Sequence, residues 1–197
     1  RVRVEVANDD FLDPHFPTGE DGRHGNLYKG NYVSSQEQAS FSDYGPDPAA
    51  YADAYQKNNN EELGRFEDVI ELCRVFESAA DGELAPALGE MIDLDEWARW
   101  FAMSAVVNNT ETNLYNTRGD DFLLYHAPWS GRFLLMPWDQ DGAFLKPQES
   151  PFVCTVGNMQ RLQGEPAFAA RYMAHVDEMV NGWYTPARLQ PMIDGVR

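Results

Sequence analysis

The chain has 197 residues, of which 43% are hydrophobic and 13% aromatic, and this composition predicts one globular domain. Its formal net charge of −17 at pH 7 argues against nucleic acid as a partner, because the phosphates would be repelled. This negative net charge is compatible with a basic protein substrate, but acidic surface residues commonly serve only to keep a protein in solution. No apolar run approaches the ~20 residues of a membrane span, so no membrane-spanning helix is expected.

The first part of the chain predicts short strands separated by irregular segments. Residues Val2 to Val6 alternate as in a strand, and residues 13–25 form a loop rich in Gly, Pro and Asp. Leu27-Tyr28 predicts a short strand that carries Lys29. This lysine is either a phosphate-facing group beside a glycine-flanked turn or an exposed loop lysine. Residues 34–50 are expected to be irregular.

Two amphipathic helices are predicted in the middle of the chain. Asn59 and Glu62 form a capping box before the first, whose apolar face comprises Leu63, Phe66, Val69, Ile70, Cys73 and Phe76. Asp93 and Glu96 form a second capping box. The helix that it opens has Leu94, Trp97, Phe101 and Ala105 on one face. It ends near Asn108, so the following loop lies between a buried helix and the next strands, a common location for catalytic groups.

An acidic hairpin is the most informative segment. Residues 122–136 contain two apolar runs around a Pro/Gly turn and predict two antiparallel strands. Asp120 and Asp121 precede the first strand, and Asp139 and Asp141 follow the second. All four therefore fall at one end of the hairpin, where a cation would relieve their repulsion. Mg²⁺ is commonly held by one or two carboxylates plus substrate phosphates. The alternative is a capped turn followed by a loop.

The C-terminal part predicts further helices around the same core. Pro166 is expected at the first position of a helix whose apolar stripe is Phe168, Tyr172, Val176, Met179 and Val180. Thr185-Pro186 starts a last helix. The whole chain is therefore predicted to be one α+β domain that is helix-rich toward the C-terminus.

Cysteines and histidines do not form a recognisable site. Cys73 lies on an apolar helix face and is expected to be a buried free thiol, although a disulfide between Cys73 and Cys154 remains open. No Cys/His grouping has zinc spacing. The four scattered histidines are expected to be structural or exposed.

The hairpin segment resembles a known family. Residues 122–144, FLLYHAPWSGRFLLMPWDQDGAF, resemble the signature region of the spore coat protein H-like (CotH) kinases, in which an N-Y-x-L-Y strand precedes an apolar strand and P-W-D-x-D. The resemblance extends over nearly all of the chain. Further matches follow the family's order at Phe11-Leu12, Gly25 to Gly30, Tyr51 to Lys57, and Ile92 to Asp95.

The resemblance implies an atypical protein kinase with a rearranged kinase-like fold. Such enzymes transfer a phosphoryl group from ATP to protein Ser or Thr with Mg²⁺ or Mn²⁺. Asp139 matches the metal-holding Asp, Asp121 stands where the family has a metal-binding Asn, and Asp141 supports both. Lys29 and Lys57 are the implied cofactor-binding residues.

One departure concerns catalysis. The family's catalytic Asp precedes the hairpin, but here residues 108–116 read NNTETNLYN. Glu111 is the carboxylate at a plausible place, and its longer side chain would move the base by about one carbon–carbon bond. It could equally be a solvated loop acid. Asn113 or Asn116 at that position would not be a base.

The missing Asp leaves alternative functions open. A catalytically impaired kinase-like binding or structural module is the second hypothesis, and a metal-dependent hydrolase is a weaker third. The chain opens without Met, and the family's preceding basic section has no counterpart. The resemblance thus implies that residues 1–197 are the C-terminal two-thirds of the family domain, from a bacterial protein that is secreted or at the cell surface. The residues themselves specify neither compartment nor oligomeric state.

Overall fold

A four-stranded antiparallel sheet lies at the centre of the fold. The computed structural model describes residues 6–34, 36–109, 120–144, 154 and 156–196. The sheet consists of β1 (Leu27–Gly30), β4 (Tyr55–Lys57), β5 (Phe122–Ala127) and β6 (Arg132–Pro137), in the order β4-β1-β5-β6. A separate ribbon pairs β2 (Tyr32–Ser34) with β3 (Glu37–Gln38). The strands predicted at Leu27-Tyr28 and in the hairpin are confirmed.

Helices pack around this sheet and dominate the C-terminal part, which confirms the α+β class. The α-helices are α1 (Asp9–His15), α2 (Glu67–Ser78), α3 (Leu84–Leu88), α4 (Leu94–Val106), α5 (Gly157–Gly164), α6 (Pro166–Glu178) and α7 (Pro186–Val196). A π-helical turn spans Met179–Trp183, and 3-10 turns span Pro48–Ala50 and Glu61–Leu63. None of the helices in the described part of the chain is long and apolar enough to cross a membrane.

The larger core lies on one face of the sheet, which we call the helix-covered face. Successive strand residues point to opposite faces, and on this face Tyr28 aligns with Lys57 on one side and Leu124 on the other. The aromatic and aliphatic side chains of this face pack with those of α2 and α4. The indole N–H of Trp97 donates to the backbone oxygen of Phe133 at 2.9 Å, which fixes α4 against β6.

A smaller core covers the opposite face, which we call the α1-covered face. Leu27, Leu123 and Tyr125 pack there against Leu12 of α1. Leu12 is completely buried, and its burial contributes on the order of 2 kcal/mol. Asn8 caps the helix by accepting from the Phe11 N–H. Helix α1 extends to His15, so the prediction that residues 13–25 are all loop is wrong at its start.

The capping box predicted from Asn59 and Glu62 is wrong. Helix α2 begins only at Glu67, and Asn59 is buried away from it. Its Oδ1 accepts from the Leu27 N–H at 2.7 Å, and its Nδ2 donates to the Gly25 oxygen at 2.9 Å. Buried backbone groups at the start of β1 need hydrogen-bond partners, and the Asn59 side chain supplies them instead of capping α2.

Helix α4 begins and ends where the sequence predicts. The Asp93 side chain accepts from the backbone N–H groups of Asp95 and Glu96, and the helix ends at Val106. Cys73 and Cys154 are both buried thiols, which confirms the prediction for Cys73 and excludes a disulfide. Of the strand predicted at Val2 to Val6, the structure describes only the exposed, non-strand residue Val6.

Candidate active site

A cleft of about 650 Å³ opens where β1 runs into β2. Its volume falls within the range of small-molecule sites, roughly 300–1,000 Å³. The lining is mainly polar and charged, with one aromatic side chain, and includes Lys29, Asn31, Tyr32, Gln56, Asp120 and Asp121. The cleft therefore combines a cation, amides and carboxylates around a space large enough for a nucleotide.

Lys29 and Asp121 meet in this cleft. The Lys29 Nζ lies 3.8 Å from the Asp121 Oδ1, and both side chains are partly exposed. The pairing of β1 with β5 produces this contact, because Lys29 aligns with Leu123 and the Asp121 N–H donates to the Gly30 oxygen at 3.0 Å. Asp121 adopts a left-handed conformation with φ of 54°. Asp tolerates this conformation better than most residues.

The acidic ends of the hairpin influence one another. Burial and Asp120 raise the pKa of Asp121, Lys29 lowers it, and Asp139 and Asp141 raise it further, to about 6 overall. Asp139 and Asp141 are themselves exposed. The hairpin thus brings the predicted acids into electrostatic range of one another, as the antiparallel register implies.

A hard divalent cation fits the chemistry of these donors. Crowded carboxylates that raise the pKa of Asp121 would be stabilised by a bound cation. Within the residues that the structure describes, however, no three His, Cys, Asp or Glu side chains are arranged to hold a metal ion. Two carboxylates together with substrate phosphates are sufficient for Mg²⁺, so the donor set suits a cation brought with a phosphorylated ligand.

The turn that carries Asp139 and Asp141 is docked on the end of α4. The Phe144 N–H donates to the Val107 oxygen at 2.7 Å, and the Asp139 φ is 47°. Asn108 also has a positive φ, 45°. With Asp121, left-handed non-glycine residues therefore occur on three segments in this region. Each such conformation costs on the order of 1 kcal/mol, and such residues cluster at functional sites.

Glu111 is the remaining predicted site residue. Glu111, Asn113 and Asn116 lie outside the residues that the structure describes.

Lys57 is not brought to the cleft. It pairs with Tyr28 on the helix-covered face, whereas Lys29 points to the other face. The Lys57 Nζ donates to the Asn26 Oδ1 at 2.9 Å and lies over the rings of Tyr28 and Phe66. Burial lowers the pKa of Lys57, against the opposing effect of nearby acids. This position gives Lys57 an internal role.

The glycines that flank β1 serve strand packing. A Cβ at Gly30 would collide with the ring of Phe122, and one at Gly25 would collide with the backbone oxygen of His126. Both glycines therefore allow β1 and β5 to approach, so their presence does not by itself indicate a phosphate-binding turn.

A polar network on the helix-covered face was not found from the sequence. Asp68 of α2 accepts hydrogen bonds from the Tyr28 hydroxyl at 2.6 Å, the Asn26 amide at 2.9 Å and the His126 Nδ1 at 3.0 Å. Burial alone would raise the pKa of Asp68, but hydrogen bonds from His126, Tyr28 and Asn26 lower it overall. The partners lie in distant parts of the chain, so no local pattern could indicate them.

Comparison with known proteins identifies the family. The sequence model described as "CotH kinase protein" matches residues 2–197, which is almost the entire chain. This match confirms the resemblance that the hairpin motif indicates. No match was found among curated proteins.

Proposed function

The chain belongs to the CotH kinase family, and on that premise we propose that it is an atypical protein kinase that transfers a phosphoryl group from ATP to protein Ser or Thr, with Mg²⁺ or Mn²⁺. Family membership supports a kinase-like function. The observation that carries the finer proposal is the Lys29–Asp121 pair, which lies in a cleft of nucleotide size beside an acidic turn.

The proposed roles follow from charge and position. Lys29 contacts phosphate oxygens, while Asp121 and Asp139 hold the divalent cation and Asp141 adds negative charge beside them. A bound divalent cation would neutralise charge on the phosphates during transfer. The existing ion pair orients the Lys29 ammonium into the cleft, where an anionic phosphate would compete with Asp121 for it.

In the transfer itself, the acceptor hydroxyl forms a new P–O bond while the bond to the β-phosphate oxygen breaks. The hydroxyl loses its proton in this step. Glu111 is the carboxylate that the sequence offers to orient the hydroxyl and accept the proton. Val107, at the end of α4, accepts from the Phe144 N–H of the turn that carries Asp139.

The second candidate is a kinase-like module that binds nucleotide without transferring phosphate. It is favoured by residues 108–116, which contain no Asp where the family has its catalytic Asp. Family membership favours both candidates over a metal-dependent hydrolase.

Two assays on the same preparation separate these candidates. Titration calorimetry with ATP is expected to give binding in Mg²⁺ or Mn²⁺ that EDTA removes. Radiolabelled ATP with a basic Ser/Thr protein substrate is expected to give metal-dependent incorporation. Binding without incorporation would favour the binding module. No metal-dependent binding would overturn the cleft assignment.

A further inference from the structure

Directly behind Lys29, five polar side chains form what we call the back-face network. Its members are Asn26, Tyr28, Lys57, Asp68 and His126, which come from four different elements or their ends. Asp68 also accepts from the Val69 N–H at 2.8 Å, so its carboxylate has four donors. A buried carboxylate with so many donors is rigidly held.

The histidine of this network faces a hydrogen-bond acceptor at each of its two ring nitrogens. The His126 Nδ1 lies 3.0 Å from the Asp68 Oδ2, and the Nε2 lies 3.2 Å from the Gly131 oxygen. A carboxylate and a backbone carbonyl only accept, and a neutral imidazole has one N–H. Both contacts are hydrogen bonds only in the imidazolium form. The ring also stacks on Phe133, with centroids 4.4 Å apart, which fixes its orientation.

Asp68 also acts electrostatically on the other titratable members of the network. Burial and then Asp68 raise the pKa of Tyr28 strongly, and Asp68 counteracts the burial that lowers the pKa of Lys57. Lys57 is bonded to Asn26 and leaves both oxygens of Asp68 to their other donors.

The network determines the position of β1, and β1 carries Lys29. Asn26 and Tyr28 point to the helix-covered face and are both bound by Asp68, while Lys29 points into the cleft from the same strand. Through its contact with His126, Asp68 also holds β5, which follows Asp121 in the sequence. A loosened network would therefore shift Lys29 relative to Asp121.

We propose that Asp68 and His126 are positioning residues for phosphoryl transfer: the hydrogen bonds of Asp68 to Asn26, Tyr28 and His126 hold β1 so that Lys29 meets the nucleotide phosphates. This inference rests on the proposed function. Removing the ring nitrogens of His126 should loosen the hold on β1 and lower nucleotide affinity, with kcat less affected.

Two substitutions at one position provide the test. His126→Asn retains an N–H close to that of Nδ1, whereas His126→Phe retains the stacked ring and loses both ring nitrogens. The matched control is His175→Asn, because His175 likewise contacts a carboxylate, that of Asp95 at 2.9 Å, but lies on α6. Circular dichroism verifies that each variant is folded.

The measured quantities are the KM for ATP and kcat, or the Kd for ATP by calorimetry, all at one pH. In His126→Phe, KM is expected to be about tenfold higher than in wild type, with kcat less affected. In His126→Asn and His175→Asn, KM should stay close to that of wild type. A KM in His126→Phe equal to that of wild type, or an equal rise in His175→Asn, would overturn the positioning role alone. No nucleotide binding by wild type would overturn the proposed function with it.

Discussion

Lys29 and Asp121 lie across the end of the β1–β5 pair, with Nζ and Oδ1 3.8 Å apart. The pair occupies the point where the pairing of two central strands ends and the cleft begins. One partner suits phosphate, and the other suits a divalent cation. The contact therefore connects the architecture of the sheet with the proposed chemistry.

Lys29→Met should weaken nucleotide binding. We expect the KM for ATP to rise by about 10- to 100-fold, because a charge-assisted hydrogen bond to phosphate is lost. Lys29→Arg keeps the charge and should retain most of the affinity. Titration calorimetry at one pH measures the affinity of both variants for ATP. Equal affinity in wild type and Lys29→Met would remove Lys29 from the phosphate site.

Asp121→Asn should stabilise the protein at neutral pH. The folded-state pKa of Asp121 is about 6, above its ordinary value of 3.8, so ionisation of this carboxyl opposes folding. Its contribution to stability is complete below about pH 4 and is lost as the pH rises through about 6. The variant should gain on the order of 1 kcal/mol at pH 7, since solvent screens this partly exposed group, and little at pH 4.

Urea unfolding of both forms at the two pH values measures the effect of this substitution. Asp81→Asn is the control, because its side chain is 95% exposed and its partner Arg161 belongs to α5. A loss of stability in Asp121→Asn at pH 7, relative to this control, would contradict the assigned cause of the pKa shift.

Asn59→Ala should destabilise the fold by about 1–3 kcal/mol. The substitution leaves the Leu27 N–H without its partner, and the Gly25 oxygen keeps only the longer contact from the Asn60 amide, at 3.4 Å. Asn181→Ala, at an exposed amide that contacts Asp177, should change stability by no more than about 0.5 kcal/mol. Thermal or urea unfolding distinguishes the two. Similar small effects would show that Asn59 does not secure β1.

Glu111→Gln tests the residue that stands in for the family's catalytic Asp. If Glu111 orients the acceptor hydroxyl, phosphoryl transfer should fall by about 10²–10⁴-fold while ATP affinity is unchanged. Initial rates with radiolabelled ATP measure this. Full activity in the variant would assign Glu111 to the solvated surface of its loop.

Local patterns predicted much of the fold. The β5–β6 hairpin and the Asp93 cap of α4 depend on neighbouring residues, so their spacing is sufficient. The end of α4 and the Pro166 start of α6 are likewise local. The electrostatic effect of Asp139 and Asp141 on Asp121 could be inferred, because antiparallel strands bring these acids to the same end of the hairpin.

Long-range contacts explain what the sequence could not reveal. Asn59 accepts a hydrogen bond from Leu27 of β1, 32 residues earlier in the chain, and does not cap the nearby helix α2. Lys57 and Lys29 both lie in short strands, yet the β1–β4 register places them on opposite faces, because Lys57 aligns with Tyr28 rather than with Lys29. Asp68 lies at the polar start of α2, where a solvated acid is the ordinary expectation, and only its buried partners distinguish it.

Phosphoryl transfer by Asp139→Asn tests the central claim most directly. The amide retains the shape of the carboxylate and loses the charge that would hold the cation against the phosphates. With radiolabelled ATP, Mg²⁺ or Mn²⁺ and a basic Ser/Thr substrate, we expect incorporation by wild type and Asp81→Asn, and none by Asp139→Asn. All three should unfold at similar urea concentrations. Undiminished transfer by Asp139→Asn would contradict the proposed metal site.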